Sequence, residues 1–287
     1  VEARDAYRRA LAWDPEQLAA AEGLIHSLSR LQDWAAVQTV ANRWALRSDS
    51  RPELLLIAID AARQRDDQLL ALDLARLGVI RHPGDQRFRL RRAEALTAVG
   101  DRTGAEQAWR ELVRAVPQKA AWWRNLAAMR QSLGATATAR QALAVARASD
   151  PDDADLARGY LVSLLAAEHA VAALRLAEEL VAGASEGDND LLLLAVRAAW
   201  QADELSQARD WLGRISASAR TDSWHRWSLQ LAVAADDQAV ARQAAEALIA
   251  SGAANDRIRL HAAGLAEAAG DRIAAEAHFR QVLQSDE

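Results

Sequence analysis

Small and apolar residues recur along the chain in one phase with a period of 34. Ala3, Val37, Ala71, Ala105, Ala139, Ala173, Ala241 and Ala275 share a register, and Ala208 stands one residue out of it. Four residues after these come Tyr7, Ala41, Ala75, Trp109, Leu143, Ala177, Leu212, Ala245 and Phe279. Three residues later come Ala10, Trp44, Gly78, Leu112, Ala146, Leu180, Ile215, Leu248 and Val282. Steps of four and three place each triple on one face of an α-helix, so every period contains an amphipathic helix.

Turn signals precede these helices: Gln32-Asp33, Asp66-Asp67, Gly100-Asp101, Gly134-Ala135, Asp236-Asp237 and Gly270-Asp271. Four of the five prolines, Pro15, Pro83, Pro117 and Pro151, are separated by 68, 34 and 34 residues and mark the other end of the helix. Between proline and turn signal lies a second apolar stripe, so each period predicts a helix pair. Dividing 287 by 34 gives about 8.4 periods. The chain is therefore expected to carry one lone helix over 1–14 and eight pairs over 15–287. Asp14-Pro15-Glu16 and Asp150-Pro151-Asp152 predict helix starts, with Asp as N-cap and Pro in the first turn. The slip at Ala208, with Gly183, Ser185 and Gly187 before it, predicts a longer loop or hinge near 183–208.

A pair of this kind buries its stripe only against the next pair, so stability is shared between neighbours. The expected fold is all-α, with helix pairs stacked in one continuous array over 1–287. Composition agrees. Gly and Pro number only 13 and 5, and β-branched residues form no strand-like runs. The net charge of −5 argues against a nucleic-acid binder, whose affinity comes mainly from basic groups on phosphates. With no cysteine there is no disulfide, thiolate zinc site or cysteine nucleophile. No stretch approaches 18 consecutive apolar residues. The opening Val1-Glu2-Ala3-Arg4 is neither a signal peptide nor an initiator methionine, which leads us to expect a fragment of a longer polypeptide.

Small, aromatic or apolar, small, then proline, at spacings of 4, 3 and 5 in a 34-residue period, resembles the second helix of the tetratricopeptide repeat. Trp123, Leu126 and Ala127 resemble the start of that family's first helix. Pentatricopeptide arrays, which read RNA, fit less well because of the period, the Ala and Pro positions and the acidic balance. The resemblance implies a right-handed α-α superhelix whose first helices line a concave groove, with residues two, five, nine and twelve of each repeat pointing into it. On this chain those places include His26, Asp60 and Glu94. They also give the candidate partner-binding residues Arg63, Arg87, Arg124, Gln131, Arg158, Arg197, Trp200, Arg226, Gln230 and Arg257. Guanidinium groups suit carboxylates on a partner through paired hydrogen bonds, although a run of arginines also serves as a solvated face. The family's clamp for chaperone C-terminal peptides wants Lys and, four residues on, Asn. Arg124 followed by Ala128 departs from it, so a chaperone-tail adaptor is not expected.

Catalytic chemistry has little to stand on. Phosphate-cradling glycine loops, Gly-x-Ser-x-Gly and His-Glu-x-x-His are absent, and the six histidines never pair four residues apart. No catalytic residue, cofactor or metal is expected. Asp66-Asp67, Asp152-Asp153 and Asp236-Asp237 fall at turns, where caps explain them better than acid–base work. Trp34, Trp44, Trp109 and Trp123 occupy packing places, whereas Trp122, Trp200, Trp224 and Trp227 suit either packing or surface contact.

A cysteine-free, degenerate array rich in Ala, Leu, Arg and Trp is similar to the periplasmic arrays of Gram-negative exopolysaccharide exporters. It resembles the Pel type more than the cellulose-export type, because its repeats stray far from consensus. That resemblance implies a non-catalytic, periplasmic scaffold at the outer membrane, active in biofilm formation. Its partners would be proteins such as a polysaccharide deacetylase or hydrolase, and its parent polypeptide would be anchored through a region outside this chain. The alternatives are a cytosolic adaptor or regulator, and a surface that guides carbohydrate past tryptophans such as Trp200 and Trp227.

Overall fold

A computed structural model describes residues 2–45, 47, 51–184 and 187–285, which leaves Ser185 outside the described residues. Among them are 17 α-helices, one 3-10 turn and no strand. The helices fall into two compact units. Val1–Asp150 holds α1 (Glu2–Trp13), α2 (Leu18–Arg30), α3 (Trp34–Ala45), α4 (Pro52–Gln64), α5 (Gln68–Arg81), α6 (Gln86–Ala98), α7 (Arg102–Ala115), α8 (Ala120–Ser132) and α9 (Thr136–Ser149). Pro151–Glu287 holds α10 (Ala154–Ala166), α11 (Ala170–Gly183), α12 (Asn189–Gln201), α13 (Leu205–Gly213), α14 (Asp222–Ala234), α15 (Gln238–Ala250), α16 (Asp256–Ala268) and α17 (Arg272–Ser285). The first unit is thus one leading helix and four pairs, and the second is four pairs. In both, each helix packs on the next, and first helices of neighbouring pairs also meet, α4 with α6, α10 with α12 and α12 with α14. The fold is an α-α solenoid.

Packing explains why the small residues recur. Ala71, Ala105, Ala173 and Ala208 are fully buried, as is Val37, because an alanine-sized side chain lets neighbouring helices approach closely. In the first unit one apolar cluster runs without a break from Ala21 to Leu126. The second unit has a cluster over α10 to α14 and another over α14 to α16. Among the described residues the periodic face is least covered at α1, where no residue is buried, and on α17, where Phe279 is exposed.

The turn within each pair repeats a single device. A left-handed residue stands at Gln32, Asp66, Gly100, Gly134, Glu168, Asp203, Asp236 and Gly270, spaced by 34 except that Asp203 falls one place beyond 202. The next residue opens the second helix. Asp67, Asp101 and Asp237 each accept a backbone N–H three residues ahead, satisfying a donor the helix itself leaves open, and Asp153 does the same at the start of the first helix α10. The paired acids are consequently turn and cap residues. Around the slip, α13 has only nine residues and is followed by the 3-10 turn Ala217–Ala219.

Two expected helix starts are corrected. α2 begins at Leu18 with Gln17 as N-cap, and α10 begins at Ala154 with Asp153 as N-cap. Pro15 and Pro151 lie in the turns before them. Asp14 Oδ1 accepts the Glu16 N–H at 3.1 Å, so this Asp closes a turn on itself and does not start a helix. Pro83 and Pro117 occupy the same place, and only Pro52 sits in a first helical turn.

Candidate functional site

The first helices of the pairs carry the expected groove residues, and the two units use them differently. In the first unit the arginines are held by acids of the same surface. Arg63 on α4 pairs with Glu94 on α6 at 2.9 Å, and Arg91 on α6 pairs with Asp60 on α4 at 2.9 Å. Each arginine also reaches the other acid, Arg63 to Asp60 at 3.7 Å and Arg91 to Glu94 at 3.0 Å, which closes a four-membered ring of charges. The ring lines a cleft of about 520 Å³ together with Trp34, Gln64, Gln68 and Ala98. Arg87 is engaged as well, by Asp85 at 2.7 Å and Glu53 at 3.2 Å. The Arg87 guanidinium, ahead of an opposing cost from burial, holds the Asp85 carboxyl below its usual range. Arg124 and Gln131 are exposed on α8, and His26 is exposed on α2.

In the second unit Arg158 on α10 bonds Asp188, the N-cap residue of α12, which also accepts the Leu191 N–H at 3.1 Å. Arg158 is thereby tied to a helix start. Arg197 is exposed on α12 and has no ion-pair partner among the described residues. The four remaining candidates come together. Trp200 from α12, Arg226 and Gln230 from α14, and Arg257 from α16 line one pocket of about 420 Å³. Its walls are completed by Leu229, Val233, Ala234, Asn255, Ile258 and His261.

Local structure fixes these walls. Asn255 caps α16 by accepting the Ile258 N–H at 3.0 Å, which sets where Arg257 and Ile258 emerge. Arg226 Nη2 donates to the Ala253 carbonyl at 3.2 Å, holding that guanidinium beside the turn before α16. Trp200 rests on Trp227, with ring centroids 6.0 Å apart and planes tilted by 57°. Trp224, three residues before Trp227, donates its indole N–H to the Leu212 carbonyl at 3.0 Å and lies under the Arg220 guanidinium, 4.2 Å from the ring centroid. Trp122, Trp200, Trp224 and Trp227 are all half-buried, packed against a core on one side and open on the other.

Sequence reasoning did not find Leu229, Val233, Ile258 or His261. Val233 follows Gln230 by three residues, the same step that links the groove positions, and that spacing was the available signal. Ile258 and His261 share a face with Arg257 on α16 but belong to no repeated place. Chemically, the pocket offers aliphatic and aromatic walls together with two guanidinium groups and the polar Gln230, Asn255 and His261. None of its lining residues is an acid.

No family model and no curated protein matches the chain by sequence. Solved structures do match its fold. The C-terminal part of a tetratricopeptide repeat-containing protein from Cytophaga hutchinsonii superposes with a TM-score of 0.65 at 15% identity, over 80% of this chain and 94% of that one. A tetratricopeptide repeat protein from Parabacteroides merdae gives 0.53 at 11% identity, over 90% of this chain and 98% of that one. PilW, a type IV pilus biogenesis factor, gives 0.53 at 14% identity, over 68% and 91%. The fold is the one seen in tetratricopeptide repeat proteins.

Proposed function

We propose that this chain is a protein-docking scaffold and that the pocket between α12, α14 and α16 is its principal docking surface. The observation that carries the reading is the convergence of Trp200, Arg226, Gln230 and Arg257 on one concave, partly apolar site. Interface hot spots are enriched in tryptophan and arginine, and solenoids work by presenting such surfaces along the stack. The fold shared with PilW, itself a pilus biogenesis factor, is in keeping with a role in assembly. We place the chain in the periplasm, in a Gram-negative exopolysaccharide export system, recruiting a polysaccharide deacetylase or hydrolase. The support for that setting is the absence of cysteine and the likeness of its degenerate, Trp-rich repeats to those exporters' arrays.

Affinity capture from the periplasm of an exopolysaccharide-producing Gram-negative bacterium tests both parts. The wild-type chain should retain a polysaccharide-modifying enzyme, and Val233→Glu, at a position 45% exposed, should lose it without unfolding. Recovery of cytosolic chaperones or regulators alone would remove the export setting. Capture that ignores Val233→Glu would remove this pocket as the docking surface.

A further inference from the structure

Charge divides the two clefts more sharply than shape does. In the first unit Asp60 and Glu94 already occupy the hydrogen-bonding edges of Arg63 and Arg91. An incoming carboxylate would have to displace a resident one, and the exchange gains little. In the second unit no acid lines the cleft. Arg257 is exposed and has no ion-pair partner among the described residues, and the neighbouring Asp256 pairs with Arg259 at 3.0 Å. Among the described residues Arg226 hydrogen-bonds a carbonyl and pairs with no acid. The two arginines share the cleft with the aliphatic Leu229, Val233 and Ile258, the Trp200 ring, and the polar Gln230, Asn255 and His261.

From this arrangement we infer that the second-unit pocket binds an internal peptide segment in which aliphatic side chains are flanked by glutamate or aspartate, while the first-unit cleft does not. The inference rests on the docking reading above and adds the partner's chemistry to it. Aliphatic side chains fill the cleft and lose water contact against Leu229, Val233 and Ile258. The flanking carboxylates meet Arg226 and Arg257, where a planar guanidinium can donate two parallel N–H bonds to each. Branched aliphatic walls beside two guanidinium groups with no acid among the lining residues favour an acidic peptide over a neutral sugar.

The test is fluorescence anisotropy of a labelled, C-terminally amidated peptide, Glu-Ala-Leu-Leu-Ala-Glu, titrated with the whole chain. Binding should weaken about tenfold for the analogue with Gln at both Glu positions and for the Arg226→Gln, Arg257→Glu double variant, as two partly exposed charge pairs allow. It should also fall on raising NaCl from about 0.05 M to about 0.5 M. Arg63→Gln in the other cleft should leave it unchanged, with circular dichroism showing every variant folded. Equal binding of the Gln analogue overturns the inference, as does binding restricted to a peptide with a free C-terminal carboxylate. Failure of every peptide to bind, or binding of labelled oligogalacturonate in its place, overturns it too. In those cases a captured partner still sensitive to Val233→Glu leaves the docking reading standing. Loss of that sensitivity removes the docking reading instead.

Discussion

Phe88 on α6 lies over Gly78 on α5 so closely that a methyl carbon at Gly78 would stand 2.1 Å from its Cδ1. The other neighbour of the ring is His82, stacked on it with centroids 5.3 Å apart. The histidine in the turn before Pro83 is thus part of a packing sandwich. Gly78→Ala should destabilise the chain by about 1–2 kcal/mol, overpacking of about 1–3 kcal/mol being partly offset by better helix propensity. Urea unfolding measures it, and a compensating Phe88→Leu should recover part of the loss.

Glu168 is a side-chain-bearing residue held at φ 55° in a turn where the equivalent Gly100, Gly134 and Gly270 meet no steric penalty. Glu168→Gly should therefore raise stability by about 0.5–1 kcal/mol, the relief of strain exceeding the extra entropy of an unfolded glycine. An unchanged or lower thermal midpoint would show that the strain is absorbed elsewhere.

The opposite sign is expected one residue after the turn. Asp101 Oδ1 accepts the Gly104 N–H at 2.9 Å, and Asp101→Ala would leave that donor to water. Loss of about 1 kcal/mol is the usual cost of removing such a cap, read by the same unfolding curves, and Asp101→Asn should keep most of it.

Acid should weaken the fold in a defined window. Asp85 is held low by Arg87, Asp271 by the Ala274 backbone N–H and then Arg242, and Glu53 by its own backbone N–H and then Arg87. Each folded-state value lies below the unfolded one. The stability each contributes is complete above the unfolded range and disappears as pH drops through the folded value. Thermal midpoints should hold between about pH 7 and pH 5 and fall below about pH 4. Asp85→Asn should shrink that fall, since Asn retains the cap on α6 without the charge.

How much of this could be read beforehand depends on range along the chain. Helix count, turn positions and the small-residue face follow from local periodicity, because offsets of three, four and 34 are printed directly in the residue order. The helix starts after Pro15 and Pro151 were misplaced because Asp before Pro can cap a helix or close a turn, and only the backbone path chooses. The groove was legible as a set of positions but not as a site. Whether Arg63 is free or bound depends on Glu94, one repeat away, and the partnering of two solvent-facing side chains leaves no periodic trace. The convergence of Trp200 with Arg257 likewise depends on three helices meeting, with the shortened α13 between the first two.

The constant interval between left-handed turn residues makes the first unit something that can be spliced. Excising residues 67–100 would join Asp66 to Asp101, which is again a left-handed Asp followed by an Asp that caps a helix, as in the native Asp66-Asp67 step. α4 would then hand over to α7 in place of α5, one pair would vanish, and every remaining turn would stay in phase. Shortened or lengthened versions of this array are accessible by cutting at that joint, whereas a cut near Asp203 meets the extra residue and throws the following helices out of step.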